Sequence, residues 1–349
     1  MSKVFVGLSG GVDSAVSAAL LKDRGCNVTG VFIKIWQPEF IECTWREDRL
    51  DAMRVAAHLG IPFREIDLSA EYERDVVQGM LADYSAGITP NPDVLCNSKI
   101  KFGAFAKWAR EHGADSIATG HYARITCQDN ILTLWRGVDS SKDQSYFLYR
   151  LTAEDLRRTL FPIGAMKKTE VRETAARLGL PVAKKRDSQG LCFIGEVSMK
   201  DFLSRFIPVE KGRVLDTGGR AIGEHDGAAL YTVGQRHGFQ ISYADSAHMY
   251  VIAIDTRANT ITVSARREDA ARTTVSLEDL HWIHTARADE RLEAQARYHE
   301  TPVGAEVHTD GNMRVTFTSP HIAAPGQSLV LYSGDECVGG GIITNERTK

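Results

Sequence analysis

The chain has 349 residues, 43% of them hydrophobic, and a formal net charge of −3. That is enough apolar material for two or three domains with cores of their own, and too little positive charge for indiscriminate nucleic-acid binding. It holds no run of about 18 apolar residues and no basic-then-apolar leader before the strand-like start, so a cytoplasmic protein without membrane attachment is expected.

In chain order, KVFVGLSG reads as a buried strand ending in a glycine turn, and a helix runs from about Ser14 to Arg24 before Gly25. VTGVFIKIW is a second apolar strand. DRLDAMRVAAHLG has helical spacing, with Leu50, Met53 and Ala57 placed on one face and Gly60-Ile61-Pro62 as its stop. FREIDL, a helix near 70–84, a helix near 101–112 and the strand SIATG complete a βαβ series, which predicts a parallel sheet covered on both faces. Helices follow at 168–178 and 198–206, on either side of the polar loop AKKRDSQGLCFIGE. From about Val214 onward short alternating runs (MYVIAID, TITVSA, MRVTFT, SLVLYS) separated by Gly, Asn and Asp turns predict an antiparallel barrel or sandwich.

Charge is unevenly spread. Between Arg157 and Arg186 lie nine basic residues against two acidic ones, Glu170 and Glu173. Such a run is either a solvated helical face or a phosphate-binding patch.

The loop Gly7-Leu8-Ser9-Gly10-Gly11-Val12-Asp13-Ser14 sits between the first strand and the first helix. Its glycines allow successive N–H groups to crowd an anion, and the helix N-terminus adds positive potential. Ser9 and Ser14 can donate to phosphate oxygens, and Asp13 makes sense there if it helps hold Mg²⁺. The loop has neither the GK[ST] ending of a Walker A motif nor a GxGxxG pattern. It resembles SGGxDS, the pyrophosphate (PP) loop of ATPases that cleave ATP between the α and β phosphates. That cleavage transfers AMP to a substrate oxygen, which a nucleophile then displaces.

Six cysteines (Cys26, Cys43, Cys96, Cys127, Cys192, Cys337) form no CxxC pair, which argues against structural zinc and, in a large cytosolic chain, against a disulfide framework. Cys96, in TPNPDVLCNSKIKF, and Cys192, in DSQGLCFIG, both fall in polar, loop-like sequence near helix starts and near lysines that would lower a thiol pKa. Asp93 could serve as a general acid/base if a turn brings it round, or simply cap a turn. Cys26, Cys127 and Cys337 read as structural, and Cys43 has no evident place.

Together SGGVDSAVSA, TPNPDVLCNSKIKF, ATGHYAR, KDQSYFLY, KKRDSQGLCFIGE, YTVGQRHG, ARYH and the C-terminal PGQ and GGGII, in this order, resemble the bacterial tRNA-specific 2-thiouridylase family, from about Lys3 to Ile343. The resemblance implies an N-terminal parallel sheet of the adenine-nucleotide α-hydrolase (PP-loop ATPase) type at 1–161. It also implies a small central tRNA-binding domain at 162–224 carrying the persulfide cysteine, and a β-rich, barrel-like domain at 225–349. The implied reaction uses ATP to replace the oxygen at carbon 2 of the wobble uridine by sulfur, in tRNAs for lysine, glutamate and glutamine.

Residue by residue, Cys96 matches the nucleophile and Cys192 the persulfide carrier, the two forming a disulfide that a reductant must reopen. Asn91, Pro92 and Asp93 match the segment that meets the target base. Gly7 to Ser14 match the ATP loop, with Ile33 and Gly120 as further nucleotide contacts. His121, Lys142, Asp143, Gln144, Arg297, Tyr298 and Gln327 match positions that touch the anticodon arm. The implied sulfur donor is a cysteine desulfurase or a sulfur-relay protein, and the 183–196 loop is expected to be mobile until RNA binds. Ile33 stands where methionine is common in such enzymes, and the insert at 37–49 has one cysteine where many carry two. An amine-using PP-loop synthetase would explain the glycine loop but not Cys96 and Cys192; a non-catalytic ATP sensor would leave the β-rich region without a purpose.

Overall fold

The computed structural model describes residues 1–40, 45–187, 197–242, 248–284, 291–308 and 313–344. The first apolar run forms β1 (Lys3–Gly7), with Val4, Phe5 and Val6 fully buried. Then come α1 (Val12–Asp23), β2 (Asn27–Lys34), α2 (Trp45–Leu59) and β3 (Phe63–Asp67). The next helix, α3, runs from Ser69–Tyr72 through a π turn, Glu73–Val77, into Gln78–Ser85. A second composite helix, α4, joins Pro92–Leu95, a π-type stretch Cys96–Phe105, and Ala106–Glu111. It ends before β4 (Ser116–Ala118). A hairpin, β5 (Ala123–Gln128) and β6 (Ile131–Arg136), leads to α5 (Ala153–Arg157) and β7 (Thr159–Leu160).

Five of these strands make the expected parallel sheet, in the order β3-β2-β1-β4-β7. The order reverses between β1 and β4, so the loops leaving their carboxyl ends diverge and open a crevice, the usual ligand position in such sheets.

The face expected for α2 is not the one that packs. Leu50 and Met53 are 46% and 38% exposed, whereas Ala52, Val55, Ala56 and Leu59 are buried against β1, β2 and α1. Both stripes have helical spacing; the narrower one wins because small and β-branched residues let the helix lie close to the sheet.

Segment 162–187 packs on the N-terminal unit: α6 (Lys168–Arg177) buries Val171 and Ala175 in the core shared with α1 and β1. After α7 (Met199–Leu203) come β8 (Gly212–Leu215), β9 (Ala221–His225), β10 (Phe239–Ile241), β11 (Tyr250–Asp255) and β12 (Thr260–Ser264). They form a separate mixed sheet, β10-β9-β8-β12-β11, in which only β8 and β12 are parallel. MYVIAID and TITVSA therefore belong to a central sheet and not to the terminal barrel, and a division at 224/225 falls inside β9.

The terminal strands are β13 (Arg272–Trp282), β14 (Leu292–Gln295), β15 (Val303–His308), β16 (Arg314–His321), β17 (Ser328–Ser333) and β18 (Glu336–Ile343). Pairing β13-β16-β15-β14-β17-β18 and back to β13 closes a six-stranded antiparallel barrel. The β5–β6 hairpin joins it through β18, with Trp135 opposite Glu336 and Leu134 opposite Cys337. No helix among the described residues is long and apolar enough to cross a membrane.

The packing of α2 is testable with one chemistry at two sites. Leu59→Ala should cost about 2–5 kcal/mol in denaturant unfolding, while Leu50→Ala should stay within about 0.5 kcal/mol of the parent. Equal losses would contradict the assigned face.

Candidate active site

The glycine loop lies at the carboxyl end of β1, beside the reversal of strand order. Gly10 has φ +74°, and a Cβ there would lie 2.3 Å from the Asp48 carbonyl oxygen of α2, so only glycine fits. Ser14 Oγ accepts from the Ser9 N–H at 3.2 Å, lies 3.2 Å from Ser9 Oγ and donates to the Gly11 carbonyl, which pre-closes the loop. Gly11 precedes α1 with no side chain capping the helix, leaving the first-turn N–H groups available to an anion. Leu8 is buried under the loop, and Ile33, at the end of β2, packs its side chain next to Gly7. From the other side of the crevice Gly120 closes in: a Cβ there would sit 2.7 Å from the Ser14 nitrogen.

Asp13 is already engaged. Both its oxygens accept from Lys168 Nζ at 2.8 Å, and Tyr122 donates its hydroxyl to Oδ1 at 2.8 Å. Burial and the neighbouring Asp13 charge push the Tyr122 pKa up, keeping it a donor. A magnesium ion does not fit the Asp13 position so arranged, because a lysine ammonium occupies the cation's place. No cluster of three or more His, Cys, Asp or Glu able to hold a metal exists among the described residues.

Lys168 also pairs with Asp187 at 2.9 Å, and Asp187 gathers Lys142 at 3.0 Å and Arg172 at 2.6 Å. Burial alone would raise the Asp187 pKa; the ammonium groups of Lys168 and Lys142 outweigh it and hold the carboxyl at about 2. Lys185 reaches Asp48 and Asp51 of α2, each at 2.7 Å. Three of the nine cations of the basic run thus tie the 183–187 segment to the loop and α2, while Arg157, Arg158, Lys167, Arg177, Lys184 and Arg186 are exposed.

TPNPD enters α4. Asn91 is its N-cap, its Oδ1 accepting from Val94 N at 3.5 Å, and Pro92 occupies the first turn, where its missing N–H costs nothing. Asp93 and Cys96, three apart, share one face of this helix. Cys96 is therefore helical and not loop-like, and at 4% exposure it lies in the apolar core with Ile100 and Phe105. Burial raises the Asp93 pKa, with the charge of Lys101 pulling it down. Asn97 is buried beside them, donates Nδ2 to the Phe147 carbonyl at 3.2 Å, and has no hydrogen-bond partner for Oδ1 among the described residues.

His121 Nδ1 is 2.7 Å from Thr119 Oγ1, and its ring packs in a three-ring cluster with Phe102 and Phe161; burial, then the charge of Lys101, keeps it neutral. Gln144 Oε1 accepts from Tyr122 N at 3.1 Å. Tyr298 packs on Phe147 with ring centres 4.4 Å apart, its pKa pushed up to about 12 by burial, then by Asp143 and Asp93.

One cavity of about 670 Å³ brings many of these parts together, while Ile33, Asn91, Pro92 and the buried Cys96 do not line it. Its walls are Ser9, Gly11, Val12 and Asp13 of the loop, Asp93 and Lys101 of α4, Gly120 and His121 after β4, Lys142 and Gln144, and Tyr298 from the barrel. Other expected positions stand apart. Asp143 is buried, accepting from Gly137 N, Ser145 N and Arg136. Gln327 donates to the Thr89 and Pro90 carbonyls at 2.9 and 3.1 Å, and Arg297 donates to the Val233 carbonyl. Cys192 and Cys43 lie outside the described residues. Asp48, Asn97, Tyr122, Phe147, Lys168 and Asp187 shape or support the site without having been singled out individually. Asn97 and Phe147 lie within quoted motifs, and Asp187 in the segment before Cys192; what each does depends on contacts across the fold.

A pyrophosphate loop at the switch point of a parallel sheet, facing a helix and a barrel that close over it, defines a PP-loop α/β enzyme. Comparison with known proteins adds the family. Residues 2–196 match a model described as a tRNA methyl transferase HUP domain, 200–265 a tRNA methyl transferase PRC-barrel domain, and 272–343 an aminomethyltransferase beta-barrel domain. The chain is 44% identical over 355 residues to the tRNA-specific 2-thiouridylase MnmA of Francisella philomiragia, covering 98% of this chain and 99% of the relative. It is 45% identical to that of Ralstonia pickettii (98% and 96% covered) and 43% identical to that of Listeria welshimeri (98% and 94% covered). The chain belongs to the tRNA-specific 2-thiouridylase family.

Burial of Cys96 has a direct chemical readout. In the RNA-free protein iodoacetamide should modify exposed Cys127 and leave Cys96 unmodified until denaturant is added, as read by peptide mass spectrometry. Equal rates at the two thiols would contradict the burial.

Proposed function

We propose that this enzyme adenylates the oxygen on carbon 2 of the wobble uridine, in tRNAs for lysine, glutamate and glutamine, and replaces it with sulfur. The observation that carries the reading is the single cavity shared by the pyrophosphate loop, Asp93 and Tyr298. ATP binds with its phosphates on the loop and the uncapped start of α1, and the target base, turned out of its stack, enters between α4 and the barrel. Gly120 lets the crevice close tightly enough for the two to meet, and Phe147 and Tyr298 offer aromatic faces to the base.

The uridine oxygen attacks the α-phosphorus, pyrophosphate leaves, and carbon 2 then carries AMP as its leaving group. Asp93, with its pKa raised, holds or moves the proton at the base edge. A donor protein, a cysteine desulfurase or a relay protein, first loads Cys192 with a persulfide. Its terminal sulfur attacks carbon 2 and expels AMP; Cys96 thiolate then attacks the Cys192 sulfur, freeing 2-thiouridine and leaving a Cys96–Cys192 disulfide. Should Cys96 act first, the same disulfide forms and hydrosulfide attacks carbon 2. Both routes balance, and both require a dithiol reductant before the next turnover. Such a reaction belongs in the cytoplasm, where tRNA and reductant are found.

Because Cys96 is buried, its attack requires α4 or its surroundings to open when RNA binds. Cys96→Ser and Cys192→Ser should each abolish 2-thiouridine in tRNA while ATP binding persists, measured by nucleoside mass spectrometry and calorimetric titration. Thiolation surviving in both variants would exclude this two-cysteine chemistry, and pyrophosphate release by the parent with no sulfur entering tRNA would favour an amine-using synthetase.

A further inference from the structure

A second cavity, of about 870 Å³, is lined by α7, the turn before β10 and other parts of the central unit, the end of α3, and Arg297 of the barrel. Its rim carries Arg236, Arg267, Arg297 and Lys200, and no carboxylate lines it among the described residues. Lys200 is paired with Asp226 at 2.5 Å. Arg236 and Arg267 are exposed and make no ion pair or side-chain hydrogen bond among the described residues.

The turn YTVGQRHG, 231–238, builds this cavity, and its internal bonding explains each residue except two. Thr232 Oγ1 lies 2.9 Å from Thr89 Oγ1, tying the turn to the segment before α4. Gly234, at φ +88°, leaves room for the guanidinium of Arg297, to which a Cβ would approach within 3.0 Å. Gln235 spends its side chain on the turn itself, accepting from Thr232 N at 3.1 Å and donating to the His237 carbonyl at 2.8 Å. The Tyr231 hydroxyl donates to the Gly238 carbonyl. A turn so fully locked displays the side chains of Arg236 and His237 and uses neither in its own construction.

Position adds the second argument. Arg297 lines this cavity and its chain neighbour Tyr298 lines the catalytic one, so one short stretch of backbone serves both. A strand that delivers a base to Tyr298 must carry its adjoining backbone past Arg297. We propose that the second cavity is an RNA subsite that takes the phosphodiesters flanking the target nucleotide, held by Arg236 and Arg267 with Arg297 behind them, and Tyr250 as a half-buried aromatic surface. A planar guanidinium suits a phosphate oxygen pair, and a lining that is basic and free of carboxylates among the described residues suits a polyanion.

The inference rests on the proposed tRNA substrate, and the test separates the two. Binding of a full-length lysine tRNA transcript is measured against salt for the parent, Arg236→Ala, Arg267→Ala, the double variant and Arg236→Lys. Each alanine should lower the slope of log affinity against log salt by roughly 1, with several-fold weaker binding at about 0.15 M salt and unchanged thermal unfolding; Arg236→Lys should keep most of the slope. Ethylation interference at the phosphates beside the wobble uridine should vanish in the double variant. If the parent binds and thiolates tRNA while the double variant keeps its affinity, slope and interference pattern, the subsite is wrong and the catalytic reading stands. If the parent binds no tRNA, both fall.

Discussion

The active site depends on how three otherwise separate parts hold one short extended segment, Thr89–Asn91. Two prolines within TPNP leave this backbone unable to pair as a strand, so its carbonyls need outside partners. Gln327 Nε2 supplies them, donating to Thr89 and Pro90, while Thr89 N donates to the Pro325 carbonyl and the central sheet reaches in through Thr232. Gly326 permits the approach: a Cβ there would lie 2.8 Å from the Thr89 oxygen. On the next turn of chain Asn91 caps α4, and Asp93 and Cys96 follow on that helix. The barrel thus sets where α4, and the face bearing Asp93 and Cys96, begins. A second set of bonds locks the same geometry from below, with Tyr146 donating to the Ser328 carbonyl at 2.9 Å and Ser145 Oγ 3.1 Å from the Tyr332 hydroxyl.

Electrostatics hold the opposite wall. Asp13, Lys168, Asp187, Lys142 and Arg172 form one chain of ion pairs from the pyrophosphate loop to the residue just before Ser188. Under the proposed function a polyphosphate entering the loop meets the same ammonium groups, and Asp187, held at about 2, remains charged throughout the physiological range. The chain up to Asp187 is therefore anchored by cations beside the pyrophosphate loop. Cys96 presents the complementary problem, a thiol shielded in an apolar core.

The parallel sheet and its glycine loop were legible in the sequence because each signal is local: an apolar run, a glycine turn, a helix start. The motif TPNPDVLCNSKIKF drew attention to Asp93 and Cys96, but its loop-like polarity concealed a helix, since Pro92 at the first turn favours a helix start that a proline pair elsewhere would forbid. Leu50 and Met53 misled for the opposite reason, as the larger side chains of α2 face outward and the small ones pack. The alternating strands after Val214 announced β structure without saying which sheet each joins, because pairing is a long-range property; the β5–β6 hairpin reaches the barrel from two hundred residues away in sequence. The internal bonding of Asp143, Gln327 and Lys168 lay equally beyond a linear reading.

The central claim is that one cavity holds both the nucleotide loop and the base to be modified. The most direct measurement is photocrosslinking with lysine tRNA carrying 5-iodouridine at the wobble position, followed by mass spectrometry of the crosslinked peptide. The account predicts attachment to Tyr298, Phe147 or His121, the aromatic side chains around Asp93. Crosslinks confined to surfaces remote from the loop and α4 would contradict it.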